Sequence, residues 1–424
     1  MPGERKPRVV VLGGNFAGLT TARFIRAECG DAVEITLIDR KPYLLFVPNI
    51  PLEVLADRDP ARSLHMPILD PLAKDGTRFL QASVTGLDLA GAAVEYTPSE
   101  RPGSAPERLG YDYLVVALGA RLAYDAIAGF AEHGQTLSDC HYGNKLRRYL
   151  HGGGYRGGPI AIGSARFVQG SQGKPAWLPI AEAACEGPVV EAAFSLATWL
   201  EEHNLGGARN ITLFTPAKVL AEDAGQPIVK ELLGIATEMG FGYRHDTRDI
   251  RRITAEGIEF EQGPSLEAEL KIVLPNWQSH AFLRGLPISD EAGFIRTGID
   301  MANPEFPNLY AVGDCAALTV PKIGGHGDQQ ARVVARQIAH KVGKLSAEEA
   351  GLAFQPQFTC MGDMGGHKAF YMHTDTWYGG STSVLRMGYR YYELKQAFKQ
   401  VYFETGGRPP GWGVPLTRFL AETL

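Results

Sequence analysis

Gly13, Gly18 and Asp39 have the types and the spacing to hold a dinucleotide. They lie in RVVVLGGNFAGLTTARFIRAECGDAVEITLID, from Arg8 to Asp39. A glycine-rich turn lets backbone approach a pyrophosphate at a helix N-terminus. An acidic residue ending the next strand can accept a bond from a ribose hydroxyl. The pattern departs from GxGxxG, because the middle position is Asn15, with Gly14 before it. Asparagine tolerates positive φ, so the turn is expected to survive. An ordinary glycine-rich strand-to-helix turn is the plainer alternative. Thiols are the second source of chemistry: Cys29, Cys140, Cys185, Cys315 and Cys360. The set is odd in number, sparse and free of CxxC, so it signals neither a secreted disulfide scaffold, a thioredoxin-like pair nor a zinc ribbon.

These residues need strands and helices to place them. Val9 to Leu12 is a β-branched apolar run, a helical pattern follows, and a second apolar run covers Val33 to Ile38. Arg78 to Leu89, Ala93 to Thr97 and Tyr111 to Ala120 (YDYLVVALGA) read as further strands of the same sheet. A second unit opens near Tyr124, and Pro159 to Gly163 reads as a buried parallel strand. The stretch after it, Ser164 to Pro175, lacks glycines spaced for a phosphate turn. The loop holding Cys185 leads into a helix from Pro188 to Glu202. The next strand, Ile211 to Phe214, ends in Thr215-Pro216 with no acidic residue to hold a ribose. This unit therefore has a dinucleotide-binding layout without the nucleotide chemistry. Strands at Gly257 to Glu261 and Leu270 to Leu274 continue it.

Asn308 to Ala316 (NLYAVGDCA) is a buried strand running into Gly313-Asp314. Val320 to Gly327 (VPKIGGHG) then precedes a helix from Gln329 to Lys341. A carboxylate at such a strand end can bind a polyol hydroxyl, and the helix N-terminus can stabilise a negative charge. Lys322 suits the same task, or is a solvated loop lysine. The tail from Gly351 is rich in aromatic residues and methionine. Val384 to Phe403 carries Met387, Tyr391, Leu394, Phe398, Val401 and Tyr402 on one helical stripe, with Arg386, Arg390, Lys395 and Lys399 off it. Trp412, Leu416, Phe419 and Leu420 form a second short apolar segment. A basic amphipathic helix of this kind lies in a membrane interface, or packs on the protein body or a dimer partner.

With 424 residues the chain has room for two or three domains. Its 45% hydrophobic and 21% charged residues are ordinary globular usage. A net charge of -5 gives no reason to propose nucleic acid as a partner. The 50 glycines suit repeated close approach of backbone to a cofactor. The polar leader Met1 to Pro7 is too short for a signal peptide, and no apolar run is long enough to span a membrane. Membrane contact is therefore expected to be peripheral, at the cell membrane.

Taken in order, GGNFAG with Asp39, YDYLVVALGA, NLYAVGDCA and VPKIGG resemble the two-dinucleotide-binding-domain flavoproteins. Within them the chain is similar to the sulfide:quinone oxidoreductases, whose relatives include flavocytochrome c sulfide dehydrogenase and type II NADH dehydrogenase. The resemblance covers roughly residues 8 to 405. It implies an α/β fold with an FAD-binding Rossmann domain (1–123 with 296–345) and a degenerate NAD-binding-like one (124–295). A C-terminal domain (346–424) would carry membrane-facing amphipathic helices and the quinone site. FAD contacts are expected from Gly13, Asn15, Gly18, Asp39, Arg40, Lys41, Pro48, Val84, Ala117, Gly119, Gly313, Asp314, Lys322 and Gly325.

The family places three cysteines where this chain has Cys140, Cys185 and Cys360. The resemblance implies that Cys185 and Cys360 flank the flavin and carry sulfur as a disulfide or polysulfide bridge, with Cys140 assisting from further out. Cys29 and Cys315 read as buried packing residues. Hydrosulfide attacks a disulfide by the chemistry of thiol–disulfide exchange. The implied partners are sulfide and a membrane quinone, with a homo-oligomer left open. Phe358, Lys368, Phe370 and Tyr371 are the quinone candidates, each equally readable as domain packing, and His367 and His373 read as surface histidines before proton relays. A flavocytochrome c-type flavoprotein subunit, a type II NADH:quinone oxidoreductase and a non-enzymatic flavin sensor are the rival functions.

Overall fold

The computed structural model describes residues 5–408 and 413–423, apart from 168–177 and 352. Part of the leader, most of the Ser164 to Pro175 stretch, and Trp412 therefore lie outside the described residues. The first sheet is seven-stranded. Its elements in chain order are β1 (Arg8–Leu12), α1 (Phe16–Cys29), β2 (Glu34–Asp39), β3 (Arg78–Asp88), β4 (Ala93–Pro98), β5 (Glu107–Gly110) and β6 (Tyr113–Val116). α2 (Cys140–His151) leads to the second sheet: β7 (Ile160–Ser164), α3 (Gly187–Glu202), β8 (Ile211–Phe214), β9 (Gly242–Arg244) and β10 (Leu270–Leu274). α4 (Gln226–Met239) lies between β8 and β9, and after β10 the chain returns to the first sheet with β11 (Leu309–Ala311) and α5 (Gly324–Lys341). The tail adds β12 (Phe358–Gly365), β13 (Lys368–Thr374), β14 (Ser383–Gly388), α6 (Tyr389–Glu404) and α7 (Gly413–Thr423).

The first sheet runs β11-β6-β1-β2-β3-β4-β5 and the second β9-β8-β7-β10. β1 pairs in parallel with both β2 and β6, in register Val9↔Ile35 and Val9↔Tyr113. β7 occupies the same central place in its own sheet, between β8 and β10. Strand order thus reverses at β1 and at β7, and the crevice beyond a central strand's C-terminal end is where such sheets take ligands. Val9 to Leu12 of β1 and Leu114 to Val116 of β6 are apolar and buried, as strands covered on both faces must be.

The tail differs from its expected form. Three antiparallel strands, β12-β13-β14, occupy it. Val384 to Met387, expected as the first helical turn, belongs to β14, and Gly388 at φ 142° separates strand from helix. The apolar spacing that seemed to run through Met387 and Tyr391 joins two elements, not one. α6 buries Tyr391, Lys395 and Tyr402 against the protein body. Lys395 is therefore a core residue rather than part of a solvated basic face. Among the described residues no helix is long and apolar enough to cross a membrane.

Candidate functional site

A continuous cavity of about 2470 Å³ begins at the Gly13 turn and ends at the C-terminal sheet and α7. Gly13 needs its missing side chain twice over. Its φ is +103°, and a Cβ would lie 2.3 Å from the Ala117 carbonyl oxygen. At Gly18 a Cβ would lie 1.9 Å from the Gly13 carbonyl oxygen, so this glycine lets α1 close on the turn. Asn15 solves its position differently from expectation. Its φ is -89°, so no left-handed tolerance is used, and it stands at the N-cap position of α1 without a side-chain cap bond, its Oδ1 accepting instead from the Leu45 N–H at 3.1 Å. The Asp39 carboxylate is pinned at the strand end, accepting from the Gly14 N–H at 2.7 Å and the Lys41 N–H at 2.8 Å.

Every expected FAD contact except Gly18 lines this cavity. The acid at the strand end, the turn whose glycines leave a backbone cradle, and the α1 N-terminus together fit the ADP half of FAD. Asp314, Lys322 and Gly325 line the cavity further along. Burial pushes the Asp314 carboxyl up to about 6, opposed by the Lys322 charge. Lys322 is buried, not a solvated loop residue: its Nζ donates to the Ala316 and Leu318 carbonyls at 2.9 and 3.2 Å and sits over the Phe294 ring. Burial draws its ammonium down to about 8, opposed by Asp314. This end of the cavity is suited to an aromatic ring system that takes on negative charge.

Two of the five free thiols meet at the cavity wall. Cys185 precedes α3, Cys360 lies on β12, and both line the cavity. A Cβ at Gly187 would lie 3.4 Å from the Cys360 Sγ and 3.8 Å from the Cys185 Sγ, so both sulfurs surround one backbone position. The fold thus joins a residue of the loop before α3 to one of the C-terminal sheet at one point. Cys140 does not join them. It opens α2, it is absent from the cavity wall, and its charged neighbours are Asp139, Asp59 and Lys41. Cys29 and Cys315 are buried, as expected of packing residues.

The two thiols have different surroundings. Burial pushes the Cys360 thiol up to about 12; Glu191 adds to this and Lys395 opposes it. Burial raises Cys185 well above its ordinary value, with Asp223 and Cys360 adding, while the Gly187 N–H opposes. The charged groups near Cys185 are thus acidic, whereas Cys360 has an ammonium within reach.

That ammonium belongs to a buried cluster that the sequence did not reveal. Lys395 Nζ donates to Glu191 Oε1 at 2.6 Å and to Asp363 Oδ2 at 2.5 Å. The three side chains are 4%, 8% and 2% exposed respectively. Glu191 and Lys395 line the cavity beside Cys360. Burial raises the Glu191 carboxyl, Lys395 opposes, and Asp363 adds to the rise. A sequence signal for Glu191 exists: it is the lone acid in the apolar run Val189 to Leu200, and a carboxylate buried there demands a partner.

A second acidic pair sits behind Cys185. Glu186 accepts from the Ser164 hydroxyl at 2.6 Å and from the Ala221 N–H at 2.7 Å, and burial raises it to about 7. Asp223 is 4% exposed, and its Oδ1 has no hydrogen-bond partner. Burial first, then Glu186 and Glu222, push its carboxyl up to about 8. A raised folded pKa means that neutral Asp223 contributes stability fully below its ordinary 3.8, and this is lost as pH rises toward about 8. Asp223→Asn should remove that loss. Urea unfolding at pH 5 and pH 8 is expected to show wild type weakening more than the variant at pH 8, and equal weakening would contradict the assignment.

Of the quinone candidates, Tyr371 lines the cavity and the other three do not. Phe358 and Phe370 are fully buried in the core, and Lys368 is exposed over the Tyr389 ring. Strand alternation decides this: Tyr371 and His373 share one face of β13 and Phe370 the other. His373 is a buried residue, contrary to expectation, with Nδ1 2.7 Å from Glu422 Oε1 of α7. Tyr371 donates to the same oxygen at 3.2 Å. Phe398 and Tyr402 of α6 also line the cavity, packed against Phe46. His367 is exposed.

The sequence model for pyridine nucleotide-disulphide oxidoreductases matches residues 7–341. The demethylphylloquinone reductase NdbB of Synechocystis is 29% identical over 176 residues, 37% of this chain and 43% of that protein. The chain thus spans less than half of that relative's length. The sulfide-quinone reductase of Aquifex aeolicus is 22% identical over 419 residues, 93% of this chain and 90% of that one. The crystal structure of the sulfide:quinone oxidoreductase from the same organism superposes with a TM-score of 0.80 at 20% identity, covering 98% of this chain and 96% of that one.

Proposed function

The chain belongs to the pyridine nucleotide-disulphide oxidoreductase family, and within it we propose that it oxidises sulfide to zero-valent sulfur and passes the electrons through FAD to a quinone. One observation carries this reading: Cys185, from the loop before α3, and Cys360, from β12, both border Gly187 and line the cavity that starts at the Asp39 and Gly13 cradle. The likeness to the sulfide-quinone reductase of Aquifex aeolicus supports it. The second sheet supports it too. β8 runs into Thr215, whose hydroxyl closes a turn on Ala217, so no carboxylate stands where a nicotinamide dinucleotide's ribose would be held.

In the oxidised state Cys185 and Cys360 are joined as a disulfide. Hydrosulfide attacks one sulfur of that bond and forms a new S–S bond, and the electron pair of the broken bond goes to the other cysteine. Cys360 is the better site for that charge, because Lys395 lies beside it. Glu191, next to both, is the group placed to exchange a proton with this end of the cavity. FAD, when bound, takes the two electrons and delivers them to the quinone. Gly13, Asn15 and Asp39 would hold its ADP half, and Asp314, Lys322 and Gly325 its ring end. Phe46, Phe398 and Tyr402 supply an aromatic wall for the quinone, and Tyr371 with the His373–Glu422 pair a polar handle and proton path elsewhere on the cavity wall. We assign the chain to the membrane surface as a peripheral protein on this reading, with Leu416 and Phe419 of α7 exposed for contact.

The test is the electron acceptor. Protein reduced anaerobically with sulfide is mixed with decylubiquinone or with cytochrome c. Rapid reoxidation by the quinone is expected. Reoxidation by cytochrome c alone would replace the quinone with a protein partner.

A further inference from the structure

Phe16, Phe46, Phe398 and Tyr402 form one aromatic cluster on the cavity wall. The Tyr402 ring lies 5.7 Å from Phe16, 5.7 Å from Phe46 and 5.8 Å from Phe398. Phenylalanine serves the packing at three of these places. At the fourth the chain has a phenol, 6% exposed, whose hydroxyl has no hydrogen-bond partner among the described residues. A buried hydroxyl left unpaired carries an uncompensated desolvation penalty, so packing alone would favour phenylalanine here too. The hydroxyls of Tyr310 and Tyr378 are also buried without a partner, but neither residue lines the cavity. Tyr402 does, so a bound molecule can supply the acceptor that the protein withholds.

The charged neighbours of this phenol are Arg23 and Asp328, which line the cavity as well. Arg23 is buried and fixed. It donates to the Gly406 carbonyl, and its Nε lies 3.4 Å from Asp75 Oδ2, whose carboxylate Arg408 also pairs. Asp328 is 44% exposed and bonded to Arg332, so it connects this end of the cavity to solvent. Burial raises the phenol and Arg23 opposes, so the resting hydroxyl keeps its proton and a cation stands by for the phenolate.

We propose that Tyr402 is a catalytic residue of quinone reduction: its hydroxyl donates to one quinone oxygen and delivers a proton there. This rests on the quinone step proposed above. A quinone becoming quinol gains two electrons, which come from the flavin, and one proton on each oxygen. Tyr402 gives its hydroxyl proton to the oxygen beside it, breaking its own O–H bond as the new one forms, and regains a proton from solvent by way of Asp328. The proton for the other oxygen follows the path assigned to Tyr371, His373 and Glu422.

The experiment compares wild type and Tyr402→Phe as FAD-loaded full chains. Each is reduced anaerobically with stoichiometric dithionite, so that sulfide chemistry does not enter, and is mixed with decylubiquinone or with ferricyanide, which takes electrons without protons. Tyr402→Phe should reoxidise roughly a hundredfold more slowly with decylubiquinone, as loss of a proton donor does. Its rate with ferricyanide and its bleaching by sulfide should match wild type. Its thermal midpoint should not fall, because the hydroxyl has no partner to lose. Equal decylubiquinone rates in the two proteins, a slowing shared by ferricyanide, or a lowered midpoint overturns the role of Tyr402 and leaves the quinone reading standing. Wild type that ferricyanide reoxidises and decylubiquinone does not overturns the quinone reading, and this inference with it.

Discussion

Replacing Cys185 or Cys360 with serine is expected to abolish sulfide-driven reduction of the bound flavin, by at least roughly a thousandfold in rate, as removal of a covalent participant does. The reason is geometric. The two sulfurs border one backbone position at 3.4 and 3.8 Å from the Gly187 Cβ site, and among the described residues no third thiol lines the cavity. A serine oxygen cannot form the bridge or carry sulfur. FAD content should be unchanged, because the cradle at Gly13, Asn15 and Asp39 is the turn between β1 and α1 with the end of β2, and neither cysteine belongs to it. Cys140→Ser should behave as wild type in the same stopped-flow measurement, since its charged neighbours are Asp139, Asp59 and Lys41. Full bleaching rates in either Cys185→Ser or Cys360→Ser would remove the disulfide from the mechanism.

The second large effect concerns stability. Lys395→Met should cost about 3–5 kcal/mol of unfolding free energy, the range for breaking a buried ion pair from one side. The lysine joins α6 to Glu191 on α3 and Asp363 on β12, and all three side chains are buried. Without it two carboxylates face each other with no counter-charge, and Asp363 Oδ1 already has no partner. Adding Glu191→Gln and Asp363→Asn to Lys395→Met should recover most of the loss, because the penalty comes from unpaired charge rather than lost volume. Urea denaturation of the single and triple variants measures both. A single variant within about 0.5 kcal/mol of wild type, the usual scatter of surface substitutions, would mean that the cluster is solvated.

The parts of this molecule that were legible in the sequence are those written in local order. β1, α1 and β2 follow one another within Arg8 to Asp39, and their glycines and apolar runs signal them directly. The second unit's lack of a ribose-binding acid was visible at Thr215-Pro216 for the same reason. The tail was not legible. β14 and α6 are contiguous, and the apolar residues of the strand fall by chance on the helix's spacing, so the pattern reads as one helix where Gly388 divides two elements. Lys395 reads as a surface cation in sequence because its partners are 204 and 32 residues away in the chain. Asp223 gives no local signal at all: it is one acid of Glu222-Asp223, and its burial comes from long-range packing. Phe370 and Tyr371 are adjacent aromatics of equal promise in sequence. The pleat of β13 sends one into the core and the other to the cavity.

The most direct test of the sulfide assignment is an anaerobic titration of the FAD-loaded protein, followed by flavin absorbance, with sulfide in one cell and NADH in the other. Sulfide should bleach the flavin completely near stoichiometric addition, and NADH should leave it oxidised. Bleaching by NADH and not by sulfide would contradict the assignment.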